Sequence, residues 1–216
     1  RFCKERISPR YFVVELLVAL IFTLVWLKLA VTTEQRPLGL LPVHDWKLVP
    51  VYWLVTFGLL LGTFVDFEFM IIPDRVTLGG IVAGLILSTL VPSLHGRESA
   101  LQGLLWSAVG AAVGWGLLWL VATVGSMIFQ KDAMGFGDVK LLSAIGAFFG
   151  FQGVFFSVVI SSLFGSIVGL SLVFARKKEM QSRIPYGPYL ALAALIWILW
   201  GPIIVDAYFN LITPPY

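Results

Sequence analysis

The chain has little charge. Only 12% of its 216 residues are Asp, Glu, Lys or Arg, while 59% are hydrophobic; a soluble domain carries roughly 25% charged residues. No polar stretch is long enough for a soluble domain, since the longest, residues 32–47 and 176–183, have the length of loops. These absences exclude a soluble protein and predict an all-α polytopic membrane protein with the lipid bilayer as its partner.

Cysteine is nearly absent, and no basic stripe exists. Cys3 is the only cysteine, which excludes an intrachain disulfide and a multi-cysteine zinc site. The formal net charge is +3, but the basic residues are scattered between apolar runs, so nucleic acid is not an expected partner. Residues 1–10 carry charges directly into a full-length apolar run, so a signal peptide is not predicted.

Long apolar runs are what the chain has instead. About 20 residues are needed to cross the hydrocarbon core, and the runs of that length are at residues 11–31, 49–69, 76–94, 100–129, 153–175 and 187–208. A shorter run, residues 137–150, would reach only about 21 Å as a helix. We therefore predict six to seven transmembrane helices, one of them short or only partly inserted.

Basic residues predict the orientation of these helices, because short cytoplasmic loops retain lysine and arginine. The N-terminal tail and residues 176–183 are the most basic segments. They lie on the same side of the membrane if the short run counts as a crossing, which predicts a cytoplasmic N-terminus. This topology places Asp66 and Asp138 at similar depth near the cytoplasmic face.

Asp66 and Asp138 are acidic residues in otherwise apolar sequence. An ionised side chain at the centre of a bilayer costs roughly 3 kcal/mol or more, so an acid at that depth indicates a functional site. Two carboxyl groups that share a site of low dielectric constant cannot both ionise cheaply. The ionised member can then take a proton from water while the protonated member polarises a carbonyl group, which suits peptide hydrolysis.

Two glycines precede the second acid, in Gly135-Phe136-Gly137-Asp138. Glycine has no Cβ, so Gly135 and Gly137 would let a substrate backbone approach closely and would permit backbone angles denied to other residues. We therefore predict that Gly135, Phe136 and Gly137 bind an extended peptide beside Asp138.

Other roles for the charged residues stay open on this reasoning. Asp138 could be the N-cap of a helix, and Asp74 fits the N-cap of the third helix. Lys140 fits a residue that snorkels to the interface better than a catalytic base. A proton-coupled transporter that uses Asp66 and Asp138 as a relay is an alternative from another class, although it should contain an internal repeat, and none is visible.

Three segments, residues 66–77, 134–140 and 184–189, resemble the type IV prepilin peptidases, which are membrane aspartic endopeptidases of the Gly-x-Gly-Asp type. The likeness covers nearly the whole chain in the right order. It implies that Asp66 and Asp138 are the catalytic pair of a transmembrane peptidase domain over residues 11–216. The substrates would be prepilins or pseudopilins of type IV pili and type II secretion, cut at the cytoplasmic face of the bacterial inner membrane without a cofactor. Another Gly-x-Gly-Asp protease, preflagellin or presenilin-like, is the nearest alternative.

The N-terminal end departs from this family. Many members carry a further first helix and a cytoplasmic region with two zinc-binding Cys-x-x-Cys pairs, and they use S-adenosylmethionine to methylate the new N-terminus. Residues 3–7 resemble the stretch that begins at the last of those cysteines, so Cys3 would be an orphan zinc ligand and residues 1–10 a cytoplasmic remnant. We expect zinc, S-adenosylmethionine and methylation only in a longer native chain, and no metal site in this one.

Overall fold

The structure, a computed structural model, describes residues 9–31, 46–130, 134–174 and 185–212. Within these ranges it contains helices and no strands, which confirms the predicted all-α class. A π-helical segment, Leu27–Val31, extends the first helix, and a 3₁₀ turn, Pro92–His95, follows the third. The α-helices are α1 (Pro9–Trp26), α2 (Leu48–Phe69), α3 (Asp74–Leu90), α4 (Ala100–Phe129), α5 (Phe136–Phe174) and α6 (Gly187–Ile212).

Five of these helices are long and apolar enough to cross a membrane: α1 with its extension, α2, α4, α5 and α6. Helix α3 is shorter, with 17 residues. The predicted run 76–94 is wrong at its end, because Pro92 cannot continue the helix, which stops at Leu90. Large apolar side chains cover the outside of the bundle, as lipid contact requires, and the chain is a multi-pass membrane protein.

Helix α5 is broken at Gly150, where φ is 68° and ψ is −175°. This φ lies in the left-handed region, which a glycine enters without the steric penalty of a Cβ. We call residues 136–149 the first leg of α5 and residues 151–174 the second leg. The break agrees with the sequence-based prediction of a short helix over 137–150 followed by a separate run.

The chain reverses direction at this break. Asp138 in the first leg interacts electrostatically with Asp66 near the end of α2. In the second leg, Ser161 Oγ lies 2.6 Å from the Tyr186 hydroxyl, next to the start of α6. Because Gly187 also contacts Asp66, both contacts lie at the same end of the bundle. The chain therefore runs away from this end along the first leg, about 21 Å long, and returns toward it along the second.

Polar side chains surround the break. The Ala147 carbonyl, one turn before Gly150, accepts hydrogen bonds from Ser107 Oγ at 2.7 Å and Ser88 Oγ at 3.4 Å. His95 Nε2 lies 3.0 Å from Ser88 Oγ, and its ring is 3.6 Å from where a Cβ of Gly150 would be. These side chains pair with a carbonyl at the point where the regular helical hydrogen bonds are interrupted.

The first leg lies at the centre of the bundle, where Leu142 and Ala147 are fully buried. Small residues allow its neighbours to approach closely. Gly110 of α4 faces Gly146 so tightly that a Cβ on either would collide with the carbonyl oxygen of the other. Gly84 of α3 meets Ala147 in a similar way. This packing fixes the first leg and therefore fixes where Asp138 lies.

Several predictions concern residues outside the described ranges. Cys3 and residues 1–8 are among them, as are the basic residues 176–183. The predicted orphan zinc ligand, the cytoplasmic remnant over residues 1–10 and the cytoplasmic N-terminus therefore stay predictions.

Candidate active site

Asp66 and Asp138 meet where the C-terminal end of α2 faces the N-terminal end of α5. Asp66 lies one turn before α2 ends, and Asp138 is the third residue of α5. Their side chains are only 5% and 8% exposed, and the Asp66 charge acts on Asp138. The structure thus brings together the two acids that the sequence singled out.

The Asp66 carboxylate lies against the start of α6. It interacts with the backbone N–H of Gly187, and a Cβ on Gly187 would be only 2.6 Å from Asp66 Oδ2. This oxygen is buried and has no hydrogen-bond partner of good geometry among the described residues. Since buried polar atoms are almost always paired, Oδ2 of Asp66 is an acceptor available to a bound molecule.

Ile72 joins the three segments that form the site. Helix α2 ends at Phe69 and is capped by Met70, whose φ of 53° is left-handed and whose backbone N–H donates to the Asp66 carbonyl. The chain then extends, and the buried Ile72 side chain enters between two glycines. Its Cβ lies 3.4 Å from where a Cβ of Gly137 would be, and its Cδ1 lies 2.8 Å from that of Gly187. A side chain at Gly187 would therefore displace Ile72 or Asp66, whereas a Cβ at Gly137 would make ordinary contact with Ile72.

Asp138 also has a local role. Its backbone N–H bonds to the Gly135 carbonyl at 3.1 Å, and its carboxylate accepts from the Gly135 N–H. This is how the third residue of a helix acts in a capping box. The N-cap alternative is wrong in position, because Asp138 lies inside α5, but the carboxylate does help to cap the helix.

Two reasons were predicted for Gly135 and Gly137, close approach of a substrate and special backbone angles, and the second is wrong. Gly135 and Gly137 do not have positive φ, whereas Gly96 and Gly150 do. What Gly135 provides is space, because its Cβ would lie 3.3 Å from Asp138 Oδ2. The contacts of these glycines come from the protein's own groups, and their binding of a substrate stays a prediction.

Phe136, the third predicted binding residue, packs partly against the protein. Its ring makes an edge contact with Trp115 of α4, with centroids 5.3 Å apart at 89°, and the ring is still 54% exposed. Phe136 therefore anchors the N-terminal end of α5 to α4 while one side stays accessible.

The prediction for Asp74 is wrong. Pro73, not Asp74, is the N-cap of α3, and the Asp74 carboxylate instead lies 2.6 Å from Lys140 Nζ. An exposed pair of this kind stabilises a protein by about 0–1 kcal/mol. It joins the N-terminal ends of α3 and α5.

Sequence reasoning assigned no role to Gly187 or Ile72. Gly187 stands between Tyr186 and Pro188 in a segment noted only for its resemblance, and Ile72 is one of many isoleucines. A glycine in the first turn of a long apolar helix was the available signal for Gly187. No signal in the sequence distinguishes Ile72.

The fold and the site together define a class: a multi-pass membrane protein with a buried pair of carboxylates at converging helix ends. The model of the type IV leader peptidase family matches residues 53–170, more than half of the chain and a range that includes both acids. The chain belongs to the type IV leader peptidase family.

Curated relatives agree with this assignment. The chain is 34% identical to a prepilin leader peptidase/N-methyltransferase of Aeromonas hydrophila, over 96% of this chain and 64% of that protein. Proteins with the same name from Aeromonas salmonicida (34%; 98% and 65%) and Pseudomonas aeruginosa (33%; 95% and 63%) are similar. The chain thus spans a little less than two thirds of the length of these relatives. No solved structure matches it.

Proposed function

We propose that this chain is an aspartic endopeptidase that removes the short basic leader from type IV prepilins and pseudopilins. The observation that carries this proposal is the meeting of Asp66 and Asp138, two buried carboxylates from separate helices. Membership of the leader peptidase family and the names of the relatives support the substrate class. The family and the names of the relatives favour a prepilin peptidase over a preflagellin or presenilin-like protease and over a proton-coupled transporter.

The proposed mechanism uses one ionised and one protonated aspartate. We assign the base to Asp66, because its Oδ2 has no hydrogen-bond partner of good geometry among the described residues and can accept a proton from water. The water oxygen attacks the scissile carbonyl carbon while protonated Asp138 donates a hydrogen bond to the carbonyl oxygen. The proton held by Asp66 then passes to the leaving amine as the C–N bond breaks, and the pair returns to its starting state.

The location of the acids suits a substrate that is partly in the membrane. They lie at helix ends, where an apolar segment of a substrate could remain in the bilayer while its basic leader stays in water. We propose that this end faces the cytoplasm at the bacterial inner membrane, with the N-terminus of this chain on the same side. The proposed cleavage uses the two aspartates and a water molecule, without zinc or S-adenosylmethionine.

Replacing either acid by asparagine should abolish cleavage. Asp66→Asn and Asp138→Asn keep the shape of the side chain but remove its acid–base chemistry, which supplies about 10²–10⁴-fold in rate. Purified enzyme in detergent would be incubated with a purified prepilin, and both fragments analysed by mass spectrometry. The mass of the mature fragment also reports methylation.

Asp74→Asn is the matched control. This exposed aspartate is paired with Lys140 outside the buried pair, so the variant should cleave at nearly the wild-type rate. Thermal unfolding of each variant would check that it is folded. Wild-type cleavage by either Asp66→Asn or Asp138→Asn would refute the two-aspartate mechanism.

A further inference from the structure

An apolar groove lies on the membrane-facing side of the helices that carry the two acids. It has a volume of about 300 Å³ and is lined by residues within 54–61 of α2, 75–83 of α3 and 141–148 of α5. We call it the α2–α3 groove. Apart from Arg75 its lining residues are uncharged and almost entirely apolar.

The groove is narrow near the acids and opens away from them. At the narrow end α2 and α3 touch, since a Cβ on Gly62 would lie 3.6 Å from both Ile72 and Val76. Farther along α3, a Cβ on Gly79 would have no atom within 4 Å. From Val76 to Ala83 the α3 wall extends about 10 Å along the helix axis, away from the end that carries the acids.

The groove runs along the same helices that carry the acid pair, although neither acid lines it. Leu141 in its floor comes three residues after Asp138 in α5, and Leu59 in its wall comes seven residues, about two turns, before Asp66 in α2. Arg75, the one charged lining residue, lies at the end of α3 nearest the acids. A chain leaving the acids along the groove would therefore pass from a polar region directly into an apolar one.

We infer that the α2–α3 groove holds the apolar transmembrane helix of the substrate, with the scissile bond extended beyond it to the acids. This inference rests on the proposed function, because it needs a substrate that continues into the bilayer from the cut. The absence of a side chain at Gly79 lets the backbone of another helix approach closely, which is how helices associate in lipid. The groove takes the uncharged side chains of one helix face rather than a whole helix.

Filling the groove tests this inference. Gly79→Leu places an apolar side chain in the open space. Gly116→Leu is the matched control, since Gly116 is also an exposed glycine inside a helix, α4, with no atom within 4 Å of its Cβ. Each enzyme would be assayed on a full-length prepilin and on a peptide that contains the leader and cut site but no apolar helix.

Gly79→Leu should lower kcat/KM for the full-length substrate at least 10-fold and leave that for the peptide unchanged, whereas Gly116→Leu should change neither. Unchanged full-length cleavage by Gly79→Leu, or an equal loss on both substrates, would overturn the groove assignment. If the wild type cleaves neither substrate, the proposed function itself fails.

Photocrosslinking identifies the occupant of the α2–α3 groove directly. It tests the inference even if the peptide is cleaved too slowly to assay. A photoreactive amino acid would replace Phe57, which lines the groove, or Trp119, which is exposed on α4, in the Asp138→Asn enzyme. The inference expects crosslinks from position 57, and not from 119, to the apolar helix of the bound prepilin. Crosslinks from position 57 only to lipid or to a second copy of this chain would contradict it.

Discussion

The two ends of the first leg of α5 satisfy their polar groups differently. At the Gly150 end, the Ala147 carbonyl accepts from Ser107 and Ser88. At the other end, Asp66 Oδ2 is buried beside Asp138 and has no partner of good geometry among the described residues. Paired polar groups in a medium of low dielectric constant rigidify a structure, whereas unpaired ones reduce stability. The comparison suggests that one end is built for stability and the other for chemistry.

A glycine is needed at both ends, but for different reasons. Gly150 has a left-handed φ, and a Cβ there would still have room, with its nearest neighbour, the His95 ring, 3.6 Å away. Gly187 has no such backbone conformation, but a Cβ there would collide with Asp66 and Ile72. Substitution by alanine should therefore damage stability at one end and activity at the other.

Gly187→Ala should have the largest effect of the remaining predictions. The added methyl group must displace the Asp66 carboxylate or Ile72, and a misplacement of about 1 Å at a reacting group can cost up to about 100-fold in rate. We expect kcat for prepilin cleavage to fall about 10- to 100-fold.

Gly165→Ala is the control for Gly187→Ala. It lies in the second leg near the same end of the bundle, but its Cβ would make only ordinary contacts, 3.8 Å from Tyr186 and Tyr189. Its cleavage rate should stay within about twofold of the wild type. Equal rates for Gly187→Ala and Gly165→Ala would show that the contact with Asp66 does not matter for catalysis.

Gly150→Ala should mainly reduce stability. An L-residue in the left-handed region costs roughly 1–2 kcal/mol, and about 1 kcal/mol shifts the Tm of a chain of this size by about 2–4 °C. Thermal unfolding in detergent should show this loss with a smaller change in cleavage than Gly187→Ala causes.

Gly116→Ala makes the same substitution in α4 without the strain, so its Tm should be unchanged or slightly higher. A Tm for Gly150→Ala equal to that of Gly116→Ala would mean that the break does not depend on the left-handed backbone.

Titration of His95 should affect stability only at acid pH. Burial lowers the pKa of His95 to about 4, and Arg97 nearby acts in the same direction. Between about pH 6.5 and pH 4 the unfolded chain binds a proton that the folded protein does not, so stability falls as the pH falls through this window.

Tm measured across this range should therefore decrease more steeply for the wild type than for His95→Asn. The variant keeps a neutral polar side chain next to Ser88 and removes the titration, while the carboxylates titrate alike in both proteins. Parallel curves for the two proteins would rule out a contribution from His95.

Much of the fold follows from local signals in the sequence. The length of an apolar run and the rarity of charge inside it identify membrane helices, because the bilayer imposes both on any spanning segment. The same rarity singled out Asp66 and Asp138 before any contact was known. Even the interruption near residue 150 was predictable, since the run beginning at 137 is too short for a full crossing.

Contacts between helices could not be predicted in this way. The space that Gly187 leaves for Asp66, and the insertion of Ile72 between two glycines, depend on distances between segments that are far apart in sequence. Asp74 was predicted to be an N-cap from its neighbours in sequence. Its actual partner, Lys140, belongs to another helix, so the local sequence could not reveal it. Gly135 was expected to adopt a special backbone angle, whereas it is needed for space beside Asp138.

The sequence by itself determined that this chain is a helical membrane protein with two acids that indicate a functional site. It could do so because the energetic cost of charge in lipid acts on each segment separately. Only the tertiary structure decided that the two carboxylates come together, that Gly187 and Ile72 pack beside Asp66, and that an apolar groove lies along the same helices. These features arise where helices pack, and packing depends on the shapes of side chains from several helices at once.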